Sequence, residues 1–324
     1  MGDSRFRDIP LNIYRGMRSV ILPLAGLLLL GIVFSILTHS FLQVSTIYTI
    51  LRESSVLLVV GIGLTFVVLM GSIDLSVGST LTFAGLVSAK IAANGSWALA
   101  IIAGIFVGVL VGAVNGFLFA YLKVPSFLAT LGVGLVVTGV SAWYVGGRPI
   151  QIFNNTFLAI SEGNLIGNLP NISLIAFFLW LVFSGFGSKT RFGRYTYAIG
   201  GAEAVSKLAG IPIQRVKFYS MILCGAFAGI AGILLTSRIG AATPDMGARV
   251  TLDAIAAVVM GGTALTGGVG GVHRTILGVL VITTLETGLN TLGVMPYFQD
   301  IFQGLVVILA VALTLDRAKI IVLK

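Results

Sequence analysis

The chain is a succession of apolar runs, and at least eight of them approach or exceed the ~18–20 residues with which a helix crosses a ~30 Å hydrocarbon layer. No soluble globule could cover that core, because 57% of the residues are hydrophobic and 10% charged, against ~25% charged in an ordinary soluble domain. In lipid the backbone must satisfy its own N–H and C=O groups, so a spanning chain is helical or forms a closed barrel. The strand alternation of a barrel is absent. The expected fold class is therefore all-α: one polytopic membrane domain over residues 1–324 with about ten transmembrane helices.

The spans are expected at about 20–38, 53–70, 76–93, 98–122, 125–145, 171–187, 216–237, 253–272, 275–292 and 298–315. The polar segment 1–19 is too long and polar to read as a cleaved signal, so the first span is expected to be retained. Ten crossings place both termini on one side. Fifteen of the twenty Lys and Arg residues then share that side, while Arg52, Arg148, Arg238 and Arg249 fall on the other and Lys90 sits near the outer end of a span. This bias puts the termini in the cytoplasm of a multi-pass membrane protein. The net charge of +9 is thus topological and does not indicate a nucleic-acid partner. Cys224, the only cysteine, lies within an apolar span and is expected to be a small buried residue, without a disulfide or a cysteine metal site.

Two stretches, 71–79 and 261–271, are crowded with Gly, Ser and Thr at expected membrane depth. Such segments let helices pack closely or break them, and broken backbone is tolerated only where protein or a water-filled cavity surrounds it. If 253–272 and 275–292 formed a re-entrant hairpin, the count would fall to eight with the same orientation. The tetrapeptide GVLV recurs at 108–111 and 278–281, a faint echo of an inverted repeat.

Carboxylates inside spans are costly and face protein or water. Asp74, with Ser76 close by, reads either as a polar element of a transport pathway or as a cap of the third span, and the two roles are compatible. Glu286 and Asn290 lie four residues apart on one helical face, where they either line a cavity for a polyol or glue helices together. Asn115 has the same two readings. Besides Glu286 the spans offer few carboxylates, and His39 and His273 fall in expected loops, so a proton relay is not the expected energy source. No GxxxxGK[ST] pattern is present, so ATP is not bound here through a P-loop. An external motor is the economical reading.

Residues 188–215 form a basic, polar interruption between apolar runs, expected to be a cytoplasmic loop. Gly200 and Gly201 precede an AEAVSKL segment read as a helix of about two turns, with Glu203 and Lys207 as a favourable i, i+4 pair, Gly210 as the stop and Pro212 beyond. Proline at Val205 would then uncouple a motor from transport.

The stretches GSIDLSVGS at 71–79, PSFLATLG at 125–132, TRFGRYTYAIGGAEAVSKLAGI at 190–211, LDAIAAVVMGGTALTGGVGG at 252–271 and GLNTLGVMPYFQDIFQGLVVILAV at 288–311 resemble the permease subunits of ribose-type bacterial ABC sugar importers. Ser72 stands where that family usually has Gly, and Val272, His273 and Arg274 replace a small pair. The resemblance implies a permease paired with an identical or paralogous copy, a periplasmic sugar-binding protein outside and a separate cytoplasmic ATPase that holds ATP and Mg. This chain would bind no cofactor and catalyse no bond chemistry. Gly200, Gly201, Ala202, Glu203, Ala204, Lys207, Leu208, Gly210 and Ile211 would seat in the ATPase. Asp74, Ser76, Asn115, Phe127, Thr130, Thr263, Glu286 and Asn290 would line the substrate pathway or its gate. The expected cargo is a monosaccharide, a ribose-like pentose or a hexose. Alternatives are a nucleoside or related polyol carried by the same mechanism, an ion-coupled secondary transporter, and a membrane enzyme, for which no catalytic cluster is found.

Overall fold

The computed structural model describes residues 11–314. The first ten residues of the expected cytoplasmic segment, and Arg317, Lys319 and Lys324 of the charge count, lie outside them. Among the described residues, six helices are long and apolar enough to cross a membrane: α2 (Val44–Leu69), α4 (Trp97–Ala120), α5 (Ser126–Val145), α7 (Asn171–Lys189), α10 (Ile213–Ile239) and α12 (Val272–Thr291). Around them stand α1 (Leu11–Leu37), α3 (Val77–Ala93), α11 (Val250–Met260) and α13 (Pro296–Thr314), with three short helices, α6 (Asn155–Glu162), α8 (Arg191–Gly201) and α9 (Glu203–Leu208). Strands β1 (Ile150–Gln151) and β2 (Ala241–Ala242) pair antiparallel beside α6, a small addition to an otherwise all-α fold.

Helices α2, α10 and α12 form the centre, with 78%, 67% and 67% of their most apolar windows buried, against 22–28% for α4, α5 and α7. A helix buried on all sides must be apolar all round, and α2 is buried from Ser54 to Leu69 without interruption. Lipid tails are as apolar as Leu, so helices in a bilayer associate by close packing of small residues. Gly104, Gly108, Gly112 and Gly116 recur every fourth position along α4 and face α10. A Cβ at Gly108 would strike the carbonyl oxygen of Gly225, and one at Gly225 would strike that of Gly108. Gly61 likewise admits α12, where the Thr65 and Thr275 hydroxyls lie 2.7 Å apart.

The expected span 253–272 is not one helix. Helix α11 ends at Met260 after eleven residues, a rise of ~16 Å. Residues 261–271 then run as irregular backbone, with Gly262, Gly267, Gly268, Gly270 and Gly271 at positive φ. Helix α12 starts at Val272 and draws His273 into its first turn. The other Gly/Ser stretch also breaks: α2 stops at Leu69 and α3 begins at Val77.

The starts of α3 and α11 meet inside the bundle in a reciprocal contact. The Gly78 N–H donates to Thr251 Oγ1 and the Gly247 N–H to Thr82 Oγ1, each at 3.0 Å. This is a local two-fold relation between two short helices. The GVLV echo does not share it, since Gly108 packs on α10 and Gly278 on α11.

Candidate functional site

The expected pathway residues separate into three places. At the break before α3, Asp74 is 1% exposed; its Oδ1 accepts the Ser76 N–H at 2.8 Å and the Ser76 hydroxyl at 2.7 Å. Asn115 of α4 donates to Ser76 Oγ at 2.7 Å, and Thr130 of α5 accepts the Leu75 N–H at 2.9 Å. Cys224 of α10 lies beside Asp74. Asp74 therefore turns its own loop, while Ser76, at the start of α3, makes no capping bond with its side chain and instead accepts from Asn115, which ties the broken segment to α4. Unpaired backbone at this depth needs such partners. Phe127 is half exposed on α5 and stands apart from the network.

Thr263 belongs to the second break. It is buried, and its hydroxyl accepts the Gly271 N–H at 3.2 Å, closing the 261–271 loop on itself.

Glu286 and Asn290 sit elsewhere, on the wall of a cleft of about 470 Å³ lined also by Glu53, Arg249, Asp253 and Gln299. Gln299 donates to Asn290 Oδ1 at 2.8 Å, Gln303 donates to Asp253, Arg238 pairs with Glu53 at 2.9 Å, and Arg249 pairs with Asp300. Glu286 has no hydrogen-bond partner among the described residues. The expectation that Glu286 stands almost alone is corrected: Glu53 and Asp253 come from two other helices to the same cleft. Each is an acid at the edge of an apolar run, which was the available signal. Thr46, Thr49, Thr287 and Thr291, also in the lining, carried none.

The basic loop folds as two helices. Thr190 caps α8, its Oγ1 accepting the Gly193 N–H at 3.2 Å. Gly200 and Gly201 precede α9 and also close α8, with the extended Ala202 (φ −163°) separating the two helices. Helix α9 has six residues and Gly210 follows it at φ 76°. Glu203 does not pair with Lys207: it takes Lys217 from the first turns of α10, at 2.8 Å to both carboxylate oxygens. Lys207 is left exposed with Val205 and Leu208, which are 64% and 89% exposed.

Behind α9, α8 packs on both broken segments at once. Gly200 lies against the Leu69 carbonyl and the Gly268 N–H, which are themselves hydrogen-bonded at 2.9 Å. The Tyr197 hydroxyl donates to the Gly270 carbonyl at 2.9 Å. Burial pushes this phenol above its ordinary value, with Arg274 opposing, so it remains a donor at neutral pH. The end of α2, the 261–271 loop and the helix preceding α9 thus form one backbone-to-backbone junction.

A profile described as "Branched-chain amino acid transport system / permease component" matches residues 46–311. The chain belongs to this permease family. It is 40% identical over 312 residues to the ribose import permease protein RbsC of Bacillus subtilis (strain 168), covering 94% of this chain and 95% of that one. The ribose import permease protein RbsC of Escherichia coli (strain K12) is 38% identical, over 89% of this chain and 91% of its own. The galactose/methyl galactoside import permease protein MglC of Salmonella typhimurium is 34% identical, over 85% and 87%. No solved structure matches the chain. The permease is therefore a multi-pass transport subunit of the ribose-type ABC group and not an enzyme, and its family works with a separate ATPase and a binding protein.

Proposed function

We propose that this permease carries a neutral monosaccharide, a ribose-like pentose or a hexose, inward across the inner membrane, driven by ATP hydrolysis on a partner subunit. The observation that carries the sugar assignment is the cleft. Its lining combines Thr, Asn and Gln side chains with carboxylates, has no aromatic ring, and leaves Glu286 without a protein partner. Sugar hydroxyls can donate to a free carboxylate and exchange hydrogen bonds with amides and threonines. A nucleoside would ask for an aromatic face to stack its base, which the lining lacks.

The cleft lies at the end of the bundle that carries Arg52, Arg238 and Arg249. Charge bias makes that end periplasmic and the α8–α9 end cytoplasmic, with both termini. Ten passes fit this orientation if residues 70–93 and 240–260 are each a broken pass made of irregular backbone and a short helix. Residues 1–324 then form one permease domain, with 1–19 and 188–215 on the cytoplasmic side, working beside a second copy or a paralogue.

In this arrangement α9 is the contact with the ATPase. Val205 and Leu208 offer an apolar tip, and the Glu203–Lys217 pair fixes α9 to α10. Motion of α9 passes through α8 to Leu69 and Gly268, and from there to the breaks held by Asp74 and Thr263. ATP and Mg stay on the partner. Residues 200–211 are positioning and docking residues, and the Asp74 network holds the inner half of the pathway.

Glu286→Gln tests the cleft. An ordinary side-chain hydrogen bond contributes ~0.5–1.5 kcal/mol, so uptake at low sugar concentration is expected to fall severalfold. Binding-protein-stimulated ATP hydrolysis should persist. Unchanged uptake in proteoliposomes would remove Glu286 from the pathway.

A further inference from the structure

Helix α12 joins the α8 junction to the outer cleft. It starts at Val272, where the 261–271 loop passes beside α8, and its far end carries Glu286, Thr287 and Asn290 on the cleft wall. Twenty residues without a proline make a rod of about 30 Å. The polar ties between this rod and other elements concentrate at its ends. At the inner end the Tyr197 hydroxyl of α8 donates to the Gly270 carbonyl at 2.9 Å, and the Trp180 Nε1–H of α7 donates to the Val272 carbonyl at 3.0 Å. At the outer end Asn290 accepts from Gln299. Between Ile276 and Leu289 no side chain of α12 hydrogen-bonds another helix among the described residues; the Thr283 hydroxyl turns back to its own helix, 2.9 Å from the Val279 carbonyl.

The middle of α12 packs through small residues. Gly278 rests on the Ala257 carbonyl of α11, and Gly288 lies under the Phe34 ring of α1. Such contacts hold helices close without directional bonds that would have to break when one slides past another, the small shear by which packed helices move. A rod tied at its ends moves as a unit, so a displacement at one end appears at the other. The two inner donors differ in origin. Tyr197 rides on α8, which leads into α9, whereas Trp180 stands on the long helix α7. When α8 shifts against α7, carbonyls two residues apart are pulled from different sides, and α12 tilts about its Thr65–Thr275 contact.

We infer that α12 is the lever that carries the state of the motor to the sugar cleft, and that Tyr197 is the positioning residue that hooks this lever to α8. The inference rests on α9 as the ATPase contact and on the outer cleft as the sugar site. Gly200 seats α8 against Leu69 and Gly268; Tyr197 adds the link to the residues that lead directly into α12. Coupling between two sites is reciprocal, so sugar in the cleft acts on hydrolysis through the same bond.

Tyr197→Phe removes the donor and keeps the ring. In proteoliposomes holding permease, ATPase and binding protein, sugar carried per ATP hydrolysed is expected to fall roughly fivefold or more, the lower end of ordinary coupling between sites, while the complex still assembles and hydrolyses ATP. A residue that only stabilised the fold would lower the amount of complex and not this ratio. Tyr195→Phe, on the same helix and with no hydrogen bond at its hydroxyl among the described residues, should leave the ratio unchanged. A second test leaves Tyr197 intact. The Thr65 and Thr275 hydroxyls stand 2.7 Å apart, close enough for sulfurs in their place to join. With Thr65→Cys and Thr275→Cys, oxidation should pin α12 to α2 and stop uptake until a reductant restores it. An unchanged ratio in Tyr197→Phe, an equal fall in Tyr195→Phe, or normal uptake with the disulfide closed overturns the lever. Lys207→Pro then shows how much has failed: if it still stops uptake, docking through α9 survives and only the lever is lost, and if it does not, both are lost.

Discussion

Lys207→Pro is expected to reduce ATP-dependent uptake roughly a hundredfold while the permease still inserts and assembles. Proline inside a helix removes an i to i−4 hydrogen bond and strikes the carbonyl four residues back, at a cost of ~3 kcal/mol. In six-residue α9 that carbonyl belongs to Glu203, so the helix loses most of its form. If only the intact helix docks on the motor, 3 kcal/mol lowers the competent population by about two orders of magnitude. Proline at Val205 is the weaker probe. Val205 lies in the first turn, where N–H groups have no intrahelical partner, so proline is tolerated there. Uptake and ATP hydrolysis measured together in proteoliposomes decide the matter: hydrolysis without uptake, or loss of both with normal insertion, fits docking through α9. Normal uptake in Lys207→Pro would show that α9 is a solvated loop helix with no part in coupling.

The second large effect is expected one helix behind. Gly200→Ala should abolish coupled transport, whereas Gly201→Ala should leave it near normal. A methyl at Gly200 would run into the Leu69 carbonyl and the Gly268 backbone, neither of which can rotate away, while a methyl at Gly201 meets nothing within 4 Å. Overpacking a tight interior costs ~1–3 kcal/mol even where side chains can shift, and backbone on both sides leaves less room to yield. The added methyl must also part the Gly268 N–H from the Leu69 carbonyl. Thermal unfolding in detergent should drop for Gly200→Ala only. Equal behaviour of the two variants would mean that α8 does not rest on the broken segments in the working protein.

The positions of the long spans were legible because their signal is local and repeated: each apolar run that became α2, α4, α5, α7 or α10 is bounded by polar or Gly-rich residues. The 253–272 run misled because residues 254–260 are as apolar as a true span. Its tail of six glycines within 261–271 carried the warning, and the chain takes positive φ there. Glu203 misled for a different reason. The i, i+4 rule treats a helix in isolation, and α9 is six residues long beside Lys217, which tertiary packing brings to 2.8 Å. The cleft could not be read from the chain, since Glu53, Asp253 and Glu286 are far apart in sequence and converge only when α2, α11 and α12 pack. The Asp74 network was partly legible: Asp74 and Ser76 are neighbours in the chain, but Asn115, Thr130 and Cys224 reach them from three other helices.

The most direct test is sugar accumulation by proteoliposomes that contain the permease, its ATPase and its binding protein, with no ion gradient. Monosaccharide should accumulate only with hydrolysable ATP and with all three proteins present, and Lys207→Pro should remove accumulation without removing the permease. Uptake that persists without ATP hydrolysis, sustained by a proton or sodium gradient, would contradict an external motor acting through α9.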